Sequence, residues 1–264
     1  PLEYERVSHA QWVSLARWER LERDAALGLG AATSRRDGVV VDGATTRELD
    51  TRLAAIVAQY DSRRGGVMSE GPSRGQRLQV FYETYRPFKD LQRSPYDGQV
   101  LRLAWEGYHA LGRSVMAAQW VEARGQAGRT ENFTLGGEAS AFEMLAPQLD
   151  ERDVSLRGYA RGVGVAAQAR RISLEWRTPI ADIDRHAMVP PVGVNRLSAT
   201  VFYEAGGVWN HGGGPERWLR AVGVEAITEV RLGYLLPLRA RLGVARGLDS
   251  PGQTRTYLSL GRAF

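Results

Sequence analysis

Hydrophobic and polar residues alternate with a period of two along most of this chain, and Gly, Pro, Asp and Asn punctuate the alternating runs. A period of two sends successive side chains to opposite faces of a strand, so the pattern predicts an antiparallel all-β meander. Two segments are clearest. In LRLAWEGYHAL, Leu101, Leu103 and Trp105 point one way and Arg102, Ala104, Glu106 and Tyr108 the other. In RLQVFYETYR, Leu78, Val80 and Tyr82 oppose Arg77, Gln79, Phe81 and Glu83. Strands are predicted near Leu2–Val7, Gln11–Leu21, Arg23–Ser34, Glu48–Asp61, Arg77–Arg86 and Gln99–Leu111. Further strands follow near Val115–Gly125, Arg170–Thr178, Arg196–Trp209, Arg217–Tyr234, Leu238–Arg246 and Thr254–Phe264, about twelve in all. Most exceed the usual length of about 5–6 residues in soluble proteins. DGVVVDGATT, around Val39–Val41, reads as a loop, and Gly136–Arg152 as a long irregular segment of the kind that carries function or disorder. The last segment, TRTYLSLGRAF, alternates and stops on an aromatic: Leu258, Leu260 and Phe264 share one face.

Composition narrows this picture only in part. The chain has 264 residues and no cysteine, which removes disulfides and thiolate metal sites. No apolar run reaches the length of about 18 residues that a membrane helix needs, but strands of a membrane barrel need only about 9–11 and alternate. A hydrophobic content of 43% fits a barrel whose strands turn half their residues to a wet lumen; it also fits a soluble β protein. The net charge of +5 is carried by arginine, since Lys89 is the only lysine. Those arginines are spread along strands and turns, which suits a charged lumen or anionic lipid headgroups better than nucleic acid.

Enzymatic chemistry finds no foothold in the pattern. His9, His109, His186 and His211 lack metal-ligand spacing, and no Gly-x-Ser-x-Gly elbow occurs. The runs LGLGAA and GGGP lack the strand–helix context of a phosphate loop. In ADIDRHAM, Asp182, Asp184 and His186 read as a solvated turn between strands rather than a cation site. No catalytic residue, metal or cofactor is expected. Trp12, Trp18, Trp105, Trp120, Tyr234 and Tyr257 fit interfacial girdles in a membrane barrel, or core in a soluble one.

Several motifs recur in a telling order from about Glu48 onward: YDSRRGGVMSEGPSRG (Tyr60–Gly75), ENFTLGG (Glu131–Gly137), LRGY (Leu156–Tyr159), SLEWRTPI (Ser173–Ile180), FYEAGGVW (Phe202–Trp209) and the final GRAF. In that order they resemble the polypeptide-transporting outer-membrane barrels of the BamA/TamA-like superfamily, also called the bacterial surface antigen family. The resemblance implies one transmembrane β-barrel over residues 1–264, with a long inward-folding loop at about 136–163. It also implies that Arg157, set by Gly158 at the loop tip, reaches inward to Glu175 and Glu204, and that Tyr159 packs on Gly206 and Gly207. The family more often has Asp where Glu204 stands. It usually closes sixteen strands, so the resemblance implies either four further strands upstream of Pro1 or a smaller barrel of the family.

The function so implied is non-enzymatic: insertion or translocation of client polypeptides at a bacterial outer membrane, with bilayer lipid as surroundings. A weakly paired first and last strand would open to template an incoming strand. The alternatives are a membrane anchor or passage for a fused or partner periplasmic domain, of propeller or phospholipase type, and a soluble β-rich binding protein.

Overall fold

In the computed structural model the described residues are 9–22, 25–42, 45–65, 72–85, 96–138, 152–188, 191–232 and 236–262. They form strands β1 (His9–Glu22), β2 (Ala25–Asp42), β3 (Thr45–Asp61), β4 (Gly75–Tyr85), β5 (Gln99–Leu111), β6 (Ser114–Arg124) and β7 (Phe133–Leu135). They continue as β8 (Asp153–Val154), β9 (Gly164–Ala166), β10 (Gln168–Met188), β11 (Pro191–Trp209), β12 (Leu219–Leu232), β13 (Leu236–Gly247) and β14 (Thr254–Arg262). Eleven strands make one antiparallel sheet in the order β1-β2-β3-β4-β5-β6-β10-β11-β12-β13-β14. The other three, β8-β7-β9, form a small sheet within the long connection between β6 and β10. No pairing joins β1 to β14 among the described residues.

The all-β expectation agrees with this architecture, and eleven of the predicted strands correspond to strands of the large sheet. The predicted strand at Leu2–Val7 lies outside the described residues, as does Phe264. Two readings are corrected. Val39–Val41 is not loop, because β2 runs on to Asp42 and pairs Val40 with Arg47 on β3. ADIDRHAM is not a turn either. It extends β10, where two register shifts against β11, around Pro179–Ala181 and Asp182–Arg185, hide the alternation, and Arg196 donates to Asp182 at 2.5 Å. A bulge puts two residues opposite one, so side-chain parity breaks there. The irregular segment is also partly ordered. Its residues 139–151 lie outside the described set, but Thr134 pairs with Asp153 and with Val165.

The two faces of the large sheet carry opposite chemistry. On the face under the loop, Glu83, Arg102, Ser173, Glu175, Arg177, Thr200, Glu204 and Glu225 are buried. On the other, Ile56, Tyr82, Leu101, Trp120, Leu174, Trp176, Val201, Val224, Leu242 and Leu258 are exposed, with Leu258 at 69% and Trp176 at 58%. Strand pairing joins these apolar residues into rows: Met116, Trp176, Val201, Val224 and Val244 lie side by side across five strands.

Candidate functional site

The site is built from three rows of side chains under the loop. One row holds Ser173, Glu204 and Ala221; the next Glu175, Phe202 and Gly223; the third Arg177, Thr200 and Glu225. The three glutamates therefore surround Phe202. Gly223 is what lets that ring lie flat against the wall, because a Cβ there would sit 2.3 Å from the Phe202 Cζ. Onto this platform the loop delivers Arg157, whose guanidinium carbon is 3.4 Å from the ring centroid. A planar cation over an aromatic face, ringed by acceptors, uses both properties that distinguish arginine from lysine.

Both terminal nitrogens of the fork are engaged. Nη1 donates to Glu225 Oε1 at 2.6 Å, and Nη2 donates to Glu204 Oε1 at 2.7 Å and Glu175 Oε1 at 3.0 Å. The backbone N–H of Arg157 donates to Glu204 Oε2 at 3.0 Å. Burial alone would depress the guanidinium, but Glu204, Glu175 and Glu225 override it and hold Arg157 well above the usual arginine value. The wall adds its own cations. Arg177 donates to Glu175 Oε2 at 2.7 Å, and Arg171 to Glu204 Oε1 at 3.0 Å. Glu225 is held differently: Tyr257 donates to it from β14 at 2.5 Å, across Gly243, where a Cβ would be 2.5 Å from the Tyr257 oxygen.

Neighbouring loop residues set the position of this arginine. Gly158 has φ +82°, and a Cβ on it would meet the Gly247 nitrogen at 2.6 Å, so glycine is required by conformation and by space. Its carbonyl accepts from the Gln253 N–H at 3.0 Å. Tyr159 does not pack as the resemblance implies. Its ring faces Gly247, its hydroxyl donates to the Arg220 carbonyl at 2.7 Å, and it accepts from the Asp249 N–H at 3.1 Å. Leu135 and Leu156 face Gly206 instead, and Pro215 faces Gly207. A tyrosine whose oxygen needs partners goes to the strand ends, where backbone groups are free to bond; the leucines fill the glycine hollow.

A second anchor lies five residues back along the loop. Arg152 donates to Glu83 Oε2 and to the Tyr85 hydroxyl, both at 2.7 Å, and lies over the Phe133 ring at 5.3 Å. Glu83 is fully buried and also accepts from Arg102 Nε at 2.8 Å. The loop is thus bonded to β4 by one arginine and to β10, β11 and β12 by another.

Of the residues singled out from sequence, Arg157, Glu175 and Glu204 meet at one point; Gly158 and Tyr159 shape the loop above it; Gly206 lies under Leu135. On β14, Leu258 faces outward and Tyr257 inward, so Tyr257 belongs to the site and not to an outer girdle. Glu225, Arg171, Arg177, Tyr257 and the Arg152–Glu83 pair were missed. Glu225 had a signal: like Glu175 and Glu204, it is an isolated acid in an apolar strand, VGVEAI. Glu175, Glu204 and Glu225 each accept from the Arg157 guanidinium, so the arrangement acts as a clamp on the loop. Among the described residues no His/Cys/Asp/Glu group is disposed to hold a metal ion. Comparison of the chain with protein-family models and with curated proteins gave no match.

Proposed function

We propose that this chain forms the wall of a transmembrane β-barrel in a bacterial outer membrane, of the BamA/TamA-like kind, and assists insertion or translocation of polypeptides. The observation that carries the reading is the inverted burial: ionic residues lie inside, under the loop, while a continuous row of Met, Trp and Val lies exposed outside. Water would penalise that outer face, and patches beyond a few hundred Å² are rare on soluble monomers; a hydrocarbon surround suits it. Curling of the sheet into a barrel is supported by the loop, which bonds to β4 through Arg152 and approaches β14 through Glu138 and Arg255 at 3.5 Å. Those strands are seven steps apart in the sheet order.

In this reading the clamp holds the loop in the lumen and leaves β14 as the strand whose outer edge meets the bilayer. An unpaired edge of backbone N–H and C=O groups in hydrocarbon is costly, and pairing with an incoming strand removes that cost. The test is reconstitution. The chain is folded into lipid vesicles, insertion is read by flotation and heat-modifiable gel mobility, and the folding rate of an added unfolded outer-membrane protein is compared with that in empty vesicles. Insertion with faster client folding is expected. Insertion without acceleration would leave a membrane barrel of the anchor or passage type, and a chain that stays soluble without lipid would overturn the membrane reading.

A further inference from the structure

The outward face carries a second feature that the clamp does not use. Arg124 on β6, Arg170 on β10, Arg220 on β12 and Arg246 on β13 occupy outward positions at the strand ends nearest the loop. Three of them stand two residues beyond an exposed apolar side chain on the same strand: Arg170 beyond Ile172, Arg220 beyond Val222, Arg246 beyond Val244. The arginines thus trace a stepped rim along the loop-side strand ends, with Arg220 level with Ile172 and Arg246 beside Val222, spread over about 19 Å at the usual strand spacing. Trp209 lies beneath the Arg170 guanidinium at 5.4 Å.

Two carboxylates share the rim. Glu122 accepts from Arg170 and from Arg124, and Asp249 accepts from Arg220 at 2.8 Å. Four arginines against these two acids leave a net charge of +2 on the rim; Glu216 and Arg217 in the adjoining loop cancel each other. Arg220, Arg246 and Arg124 are exposed. A positive band along the loop-side edge of an apolar belt is complementary to one kind of surface: a lipid whose acyl chains cover the belt and whose phosphates lie at its edge.

We propose that this rim binds the phosphates of a glycolipid of the lipid A type, with Arg220 and Arg246 as its principal ligands. The inference rests on the membrane reading above. The wild-type chain and an Arg220→Gln, Arg246→Gln double variant are folded into phosphatidylcholine vesicles alone, with phosphorylated lipid A, or with dephosphorylated lipid A. The unfolding midpoint is read by heat-modifiable mobility. Phosphorylated lipid A raises the wild-type midpoint, dephosphorylated lipid A raises it less, and the double variant loses the difference, which also shrinks as salt is added. Arg161→Gln, a loop arginine away from the rim, keeps it, and Arg246→Gln alone serves if the double variant does not fold. Equal midpoints in the three vesicles, persistence of the difference in the rim variant, or its reproduction by inorganic phosphate with plain vesicles would each overturn the proposal. A chain that inserts into no vesicle removes the membrane reading itself, a result distinct from insertion without lipid A dependence.

Discussion

The two anchors of the loop are built on different plans. Arg157 faces three carboxylates on three strands, whereas Arg152 faces two: Glu83, which Arg102 also holds, and Glu131 at 3.8 Å. Both guanidiniums are buried, and both are held above the usual arginine value by their acids against the opposing effect of burial. What differs is what each leaves behind. Without Arg152, Glu83 keeps Arg102. Without Arg157, Glu175 keeps Arg177 and Glu204 keeps Arg171, but among the described residues Glu225 keeps one hydrogen bond, from the Tyr257 hydroxyl, and the more distant charge of Arg177. The vulnerability of a buried ionic cluster therefore resides in its least redundantly paired member.

The largest effect should come from Arg157→Ala, which breaks a buried cluster at a cost of about 3–5 kcal/mol. The midpoint of heat-modifiable mobility should fall accordingly, and adding Glu225→Gln should recover part of the loss by neutralising the orphan. Glu175→Gln in the same background should recover less, because Arg177 already serves that acid. Equal rescue by the two would break the comparison.

Gly158→Ala should cost about 1–3 kcal/mol through a strained left-handed backbone, with the clash against Gly247 added. Its loss should track Arg157→Ala and disappear in a chain already lacking Arg157, since both act through seating of the loop tip. Arg152→Ala should cost less, about 1–3 kcal/mol for its lost charge-assisted bonds, and Glu83→Gln should add little to it. A loss from Arg152→Ala as large as that from Arg157→Ala would mean that Arg102 does not protect Glu83.

The smallest effect concerns pH. The hydrogen bond from the Arg220 side chain, and then that from its backbone N–H, pull Asp249 down to about 2. A depressed carboxyl contributes fully above its unfolded value of about 3.9 and loses that contribution as pH falls through its folded one. Unfolding midpoints should therefore decline between about pH 4 and pH 2 more steeply in wild type than in Asp249→Asn.

Much of the wall was legible because alternation survives wherever one face is buried: the parity that set Leu101 against Arg102 is the parity observed. It failed at β10 beyond Thr178, where bulges break the period, and at Val39–Val41, where flanking glycines suggested a turn. In the site, Arg157, Glu175 and Glu204 came from motif order. Glu225 and Tyr257 did not, because nothing local says that β12 pairs with β11 in the register that sets Glu225 beside Thr200.

By itself, then, the sequence determined the strands and which side chains share a face, since parity is a local property of an extended backbone. It also marked Gly158 as a point where the backbone can turn sharply beside Arg157. The tertiary structure alone decided that Glu225 joins Glu175 and Glu204 on that arginine, where Tyr159 lands and that Arg152 forms a second anchor. Those depend on registers summed across several strands, and a shift of one residue in any of them would turn an acid from the clamp to the outer face.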